Sequence, residues 1–238
     1  MEYGQAWVYE SIIGALPGID LPRPVAIGIQ LALFELATIL LAWHYGRWEA
    51  LAAGTAAVVV AAVGSAEMLR ISTLARRAAL PPAYYRLLFG SSVEVVLGVL
   101  AYVALVTHLF VFDPANATTP LIERLLGPDP PLVGVYVLLL VLWDVCYRIG
   151  TGWWASVVAL WRSARYRFDP ERARLLRRVD LETMAFGLAQ LVLVPFLRDH
   201  PVLLVTVLGH VAAVVGVTGL SAVLLRVRQT DAERATAL

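Results

Sequence analysis

Six stretches of the sequence, at positions 24–45, 50–69, 87–112, 132–160, 182–198 and 202–225, stay apolar for about as long as a helix needs to cross a bilayer. Roughly 20 residues span a hydrocarbon core of about 30 Å. In lipid every backbone N–H and C=O must be bonded within its own segment, so stretches of this length become α-helices. The composition agrees. The chain is 60% hydrophobic with a mean hydropathy of +0.74, against roughly half apolar residues in a soluble domain. The expected fold class is therefore all-α, a polytopic integral membrane helical bundle of six transmembrane helices forming one domain over residues 1–238. Residues 1–23 make an N-terminal amphipathic segment, 24–225 the transmembrane bundle, and 226–238 a cytoplasmic tail.

A seventh apolar segment, GQAWVYESIIGALPG from Gly4 to Gly18, is short and carries Glu10. It reads as an amphipathic helix lying in the interface; the count becomes seven only if it inserts. The N-terminus shows no basic region followed by a short apolar core and cleavage site, so the first span is expected to direct insertion.

Basic residues in short loops stay on the cytoplasmic side. The joint from Arg70 to Arg86 holds four arginines and no acid, and the joint from Arg162 to Arg178 holds seven against Asp169 and Glu171. Between them, the segment from Asp113 to Pro130 carries three acids and one arginine, and it includes the sequon Asn116-Ala117-Thr118. This pattern predicts a multi-pass cell-membrane protein with both termini cytoplasmic.

All 19 basic residues are arginines, for the chain has no lysine. A side-chain Schiff base is thereby excluded, and with it covalent attachment of retinal or pyridoxal. The one cysteine, Cys146, lies within a span and forms no intrachain disulfide. The four histidines are scattered without a helical pair, and HExxH, GxSxG, GxxxxGK[ST] and GxGxxG motifs are absent. No metal, cofactor or catalytic residue is expected, and no nucleic-acid module is visible.

What remains to carry function is the set of polar groups inside the spans. An ionisable side chain at mid-bilayer costs roughly 2.5 to 3.5 kcal/mol on insertion scales, so such groups turn toward protein or a wet cavity. Asp144 and Arg148 stand at i and i+4 in LWDVCYRIGTGWWAS, on one helical face. Glu67 and Arg70 lie one turn apart on the second span. Gly90, Glu94, Gly98, Ala101 and His108 keep to one side of the third, where the small residues let another helix come close. Glu35, Glu182 and His210 complete a candidate path for a proton or cation. The same residues also suit a bundle whose buried ion pairs fix helix packing.

EMLRIST from Glu67 and DVCYRIGT from Asp144 share an acid, a following arginine, and then Ile, a small residue and Thr. Each precedes an arginine-rich joint and a helix with an early glutamate, Glu94 or Glu182, which suggests a parallel internal repeat. In DPERARLLRRVD, Asp169 and Pro170 read as the cap and first turn of a loop helix. Its Arg172, Arg174, Arg177 and Arg178 could hold anionic lipid headgroups.

The residues DVCYRIGTG resemble the retinal-binding helix of microbial rhodopsins, which has an aspartate four residues before the retinal lysine. Arg148 stands at the lysine position and cannot form the imine. The resemblance covers one helix, which is not the last in the chain, and no counter-ion motif accompanies it.

The expected function is a small membrane transporter or channel-like protein for a proton, cation or small solute. The alternative is a non-transporting subunit, scaffold or sensor. Expected partners are the lipid bilayer, anionic lipids at the inner leaflet, and further copies or a membrane complex.

Overall fold

The structure is a computed structural model that describes Trp7, residues 21–78 and residues 80–236, with side chains as far as Arg228. Apart from Trp7, the amphipathic segment Gly4–Gly18 lies outside the described residues. Among these the regular structure is wholly helical. Six helical stretches are long and apolar enough to cross a membrane: Arg23–His44, Trp48–Arg77, Pro82–Asn116, Leu132–Arg165, Pro170–Phe196 and Pro201–Arg228.

The sequence punctuates them legibly. Helix α1 (Arg23–His44) has proline in its first turn and stops just before Gly46, whose φ is +65°. Helix α2 (Trp48–Arg77) ends ahead of the Pro81-Pro82 pair, from which the short α3 (Pro82–Phe89) starts. Ser92, in the left-handed region at φ 54°, separates α3 from α4 (Val93–Thr107). One π-helical turn, His108–Phe112, leads α4 into α5 (Asp113–Asn116), and α6 (Leu121–Leu126) closes at Gly127 with φ +94°. Then come α7 (Leu132–Arg165), α8 (Pro170–Ala189), its 3₁₀ extension Gln190–Phe196, and α9 (Pro201–Thr236).

The helices run well past the apolar stretches. The loop helix expected at Asp169–Asp180 and the fifth span are a single helix, because its Ala, Leu and Arg are strong helix formers and nothing breaks it. Its cap is as expected: the Asp169 carboxylate accepts from the Arg172 backbone N–H at 2.9 Å. That bond, helped by the Arg172 charge, holds the Asp169 carboxyl below the usual carboxylate range.

Helix α7 is the hub, in contact with α1, α2, α3, α4, α8 and α9. The small-residue stripe of the third span marks its crossing with α4. A Cβ on Gly98 would lie 3.1 Å from the Tyr147 Cα, and one on Gly150 would lie 3.0 Å from the Gly98 backbone nitrogen. A side chain at either position would push the two backbones apart, so the glycines let the helices cross this closely. Away from the hub, Leu33, Leu36 and Leu40 of α1, Val96, Leu100 and Val103 of α4, and Val205 and Leu208 of α9 are exposed. Apolar faces of this extent are rare on soluble monomers and suit contact with lipid chains.

Candidate functional site

Asp144 and Arg148 project from the middle of α7, one turn apart. Arg148 Nε donates to Asp144 Oδ2 at 3.0 Å and its Nη2 to Oδ1 at 2.8 Å, a two-point fork on the carboxylate. Both side chains are 0% exposed, so the fork sits in low dielectric. A second helix joins it, since Gln30 of α1 donates from Nε2 to Asp144 Oδ1 at 2.9 Å. Arg148 Nη1 also reaches the Met68 sulfur of α2 at 3.7 Å. Gly64 makes the room: a Cβ there would come within 2.9 Å of the Arg148 Cβ and 2.8 Å of the Phe186 ring. The pair read from the sequence therefore exists, and it ties three helices rather than one.

The second expected pair forms differently. Arg70 reaches across to α8, where its Nε and Nη2 donate to Glu182 at 2.7 and 2.6 Å, and Arg178 donates to the same carboxylate at 3.1 Å. Glu67, one turn before Arg70, points into the α2–α8 seam and shares a hydrogen bond with Thr183; its Oε1 is buried without a partner. At i, i+3 the long arginine was free to choose the more solvated acid. Arg70 and Arg178 are exposed, so this cluster is screened by water.

Glu94 is 0% exposed beside the α4–α7 crossing, and neither carboxyl oxygen has a hydrogen-bond partner among the described residues. His108, expected to share its path, belongs to another site 14 residues along the chain. Its Nε2 lies 3.9 Å from Asp113 Oδ1, the same oxygen that meets His200 Nδ1 at 2.8 Å. Asp113 Oδ2 accepts the Leu121 backbone N–H at 2.6 Å. This carboxylate thus staples the α4–α6 connection to the turn before α9. The π-helical turn supplies the geometry by advancing Asp113 around the axis.

Among the remaining candidates, Glu35 is half-buried and accepts from Thr55 of α2 at 2.8 Å. His210 lies 6.1 Å from the Trp153 ring, with Nε2 buried and unpaired. Arg172, Arg174 and Arg178 are exposed on α8 and Arg177 is half-buried, a placement open to headgroups.

A further buried network was not foreseen. Arg162, near the end of α7, is 1% exposed and forms a salt bridge with Asp180 of α8. Its Nη1 donates to the Tyr84 hydroxyl at 3.3 Å and its Nη2 to the Leu176 carbonyl at 3.2 Å. Ser221 of α9 donates to Asp180 Oδ2 at 2.7 Å and pairs with Ser163 at 2.8 Å. The signal was present: Ala173, Leu176, Asp180, Thr183 and Gly187 recur at helical spacing, which puts Asp180 on the inward stripe of α8. Taking the residues up to Arg178 as a solvated joint concealed it.

The profile of a family of unknown function, DUF7530, matches residues 2–221, and the chain belongs to that family. No curated protein and no solved structure matches it.

Proposed function

We propose that the chain is a non-transporting multi-pass membrane protein, a scaffold, complex subunit or sensor, in which buried ion pairs set how the helices pack. The observation that carries this reading is the closure of the Asp144–Arg148 fork: 0% exposed, with Gln30 bonded across from α1. The Arg162–Asp180 network has the same character. A chamber of about 360 Å³ that enters the bundle is lined by neither these residues nor Glu67 or Glu94. Polar groups sealed in this way specify one arrangement of helices, because any other leaves a charge unpaired.

Transport of a proton, cation or small solute is the second reading, and Glu94 supports it. A buried carboxyl with no donor is a group that can take up and release a proton. Flux measurements in proteoliposomes separate the two. Proton and monovalent-cation traces at the level of protein-free vesicles are the expected result. Flux abolished by Glu94→Gln in a folded protein would replace the first reading with the second.

The arginine distribution supports six crossings of the cell membrane with both termini cytoplasmic, and it leaves anionic inner-leaflet lipids within reach of Arg172 and Arg174. Assembly with further copies or with a larger membrane complex belongs to the scaffold reading, and the parallel repeat to the architecture. In a Cys146→Ala background, Thr118→Cys should label from outside intact cells and Arg174→Cys only after permeabilisation. Equal labelling of both from outside would overturn the orientation.

A further inference from the structure

At the end of the bundle opposite the arginine-rich joints, a chamber of about 360 Å³ opens between α1, α2, α4, α7 and α9. Its walls are mainly Leu, Val and Ala, among them Leu41, Ala53, Leu105, Val141 and Leu203. The volume falls within the roughly 300 to 1,000 Å³ of small-molecule sites, which combine apolar walls with a few placed polar groups. Water gains little in such a space, for it needs two to four polar partners.

Few of the polar groups on the walls have hydrogen bonds to spare. Thr38 and Thr206 donate to carbonyls of their own helices at 2.8 and 2.7 Å. Gln190 and His210 differ. The Gln190 side chain is 1% exposed, lines the chamber and shows no side-chain hydrogen bond among the described residues, and His210, on the same wall, has its Nε2 buried without a partner. Buried amides are paired in the great majority of proteins, so an unpaired one on a chamber wall marks a missing partner. Gln190 sits where α8 tightens into its 3₁₀ extension and His210 in the third turn of α9, both deep to the exposed Arg47 at the rim.

We infer that this chamber binds one lipophilic carbonyl compound, the chemistry of a membrane quinone, with ring oxygens on the Gln190 amide and on His210 Nε2 and the hydrocarbon part among the leucines and valines. A phospholipid fits less well, because its acyl chains would place methylene groups against the Gln190 amide and His210 Nε2. A polar solute would lose its own hydrogen bonds to the apolar walls. The inference goes beyond the packing role proposed above and does not depend on it. It concerns binding, and no redox step is assigned.

The test uses the full-length protein in detergent with decylubiquinone as probe, read by quenching of tryptophan fluorescence, since Trp153 stands 6.1 Å from His210. Saturable quenching at one molecule per chain is expected. Gln190→Leu and His210→Leu, each of near-native volume, should weaken binding by roughly three- to tenfold, the worth of one hydrogen bond. Both should keep the wild-type melting temperature. Decylbenzene, which has the tail and ring without the carbonyls, serves as competitor and needs no variant. Weak competition supports the site. Displacement of decylubiquinone by an equal concentration of decylbenzene, or quenching that rises without saturation, would show an apolar space that any chain can fill and would overturn the assignment.

Discussion

Arg148→Ala is expected to destabilise the detergent-solubilised protein by about 3 to 5 kcal/mol, the usual cost of breaking a buried ion pair from one side. Asp144 would be left in low dielectric, and the neutral Gln30 amide that donates to it does not replace a two-point guanidinium. Asp144→Asn combined with Arg148→Gln removes both charges and should recover much of the loss. Unfolding titrations of the single and double variants measure this directly. Wild-type stability of Arg148→Ala would mean that the guanidinium reaches water, contrary to its 0% exposure. The double variant also bears on function. If it is folded and leaves flux traces at their baseline, the pair serves packing; if a measurable flux exists and the double variant abolishes it, the charges serve transport.

Asp180→Ala should cost a similar amount, about 3 to 5 kcal/mol, for the same reason: Arg162 would stay buried with only the Tyr84 hydroxyl and the Leu176 carbonyl to solvate it. Ser221→Ala isolates the polar margin of the network. It removes one donor from Asp180 Oδ2 and the partner of Ser163, and a loss of about 1 to 3 kcal/mol is expected. The two substitutions should be strongly non-additive, since both act on one carboxylate. Additive losses would show that Ser221 holds α9 through its packing and not through Asp180. Because the network joins α7, α8, α9 and α3, Asp180→Ala should also raise the proteolytic sensitivity of the 166–169 joint, which limited proteolysis in micelles would show.

Six long apolar helices were readable, though not where they begin and end, because a chain this apolar suits lipid, where the backbone has no other way to pair its polar groups. A run of about 20 apolar residues must satisfy its own hydrogen bonds, and Pro22, Pro81, Pro82, Gly127 and Pro201 mark the breaks. The Asp144–Arg148 fork was readable for a related reason: at i, i+4 both partners belong to one helix, so no knowledge of neighbours was needed. The Asp169 cap was equally local.

The other pairings turned on which helices meet, and that lies outside any short window of sequence. Arg70 had Glu67 one turn away and bonded Glu182, 112 residues on, because the folded bundle brings α8 alongside α2. Asp113 and His200 stand 87 residues apart with nothing local to join them; a π-helical turn and a tight α8–α9 connection bring them together. Asp180 could be placed on a buried stripe by periodicity, yet its partner Arg162 could not be named without the α7–α8 packing. The unpaired Gln190 and His210 became informative only when both were found facing one chamber. Hydrogen-bond saturation along a single helix is a property of the chain, and it decided the spans. The choice among several possible partners for each charge is a property of how six helices touch, and only their three-dimensional arrangement decided that.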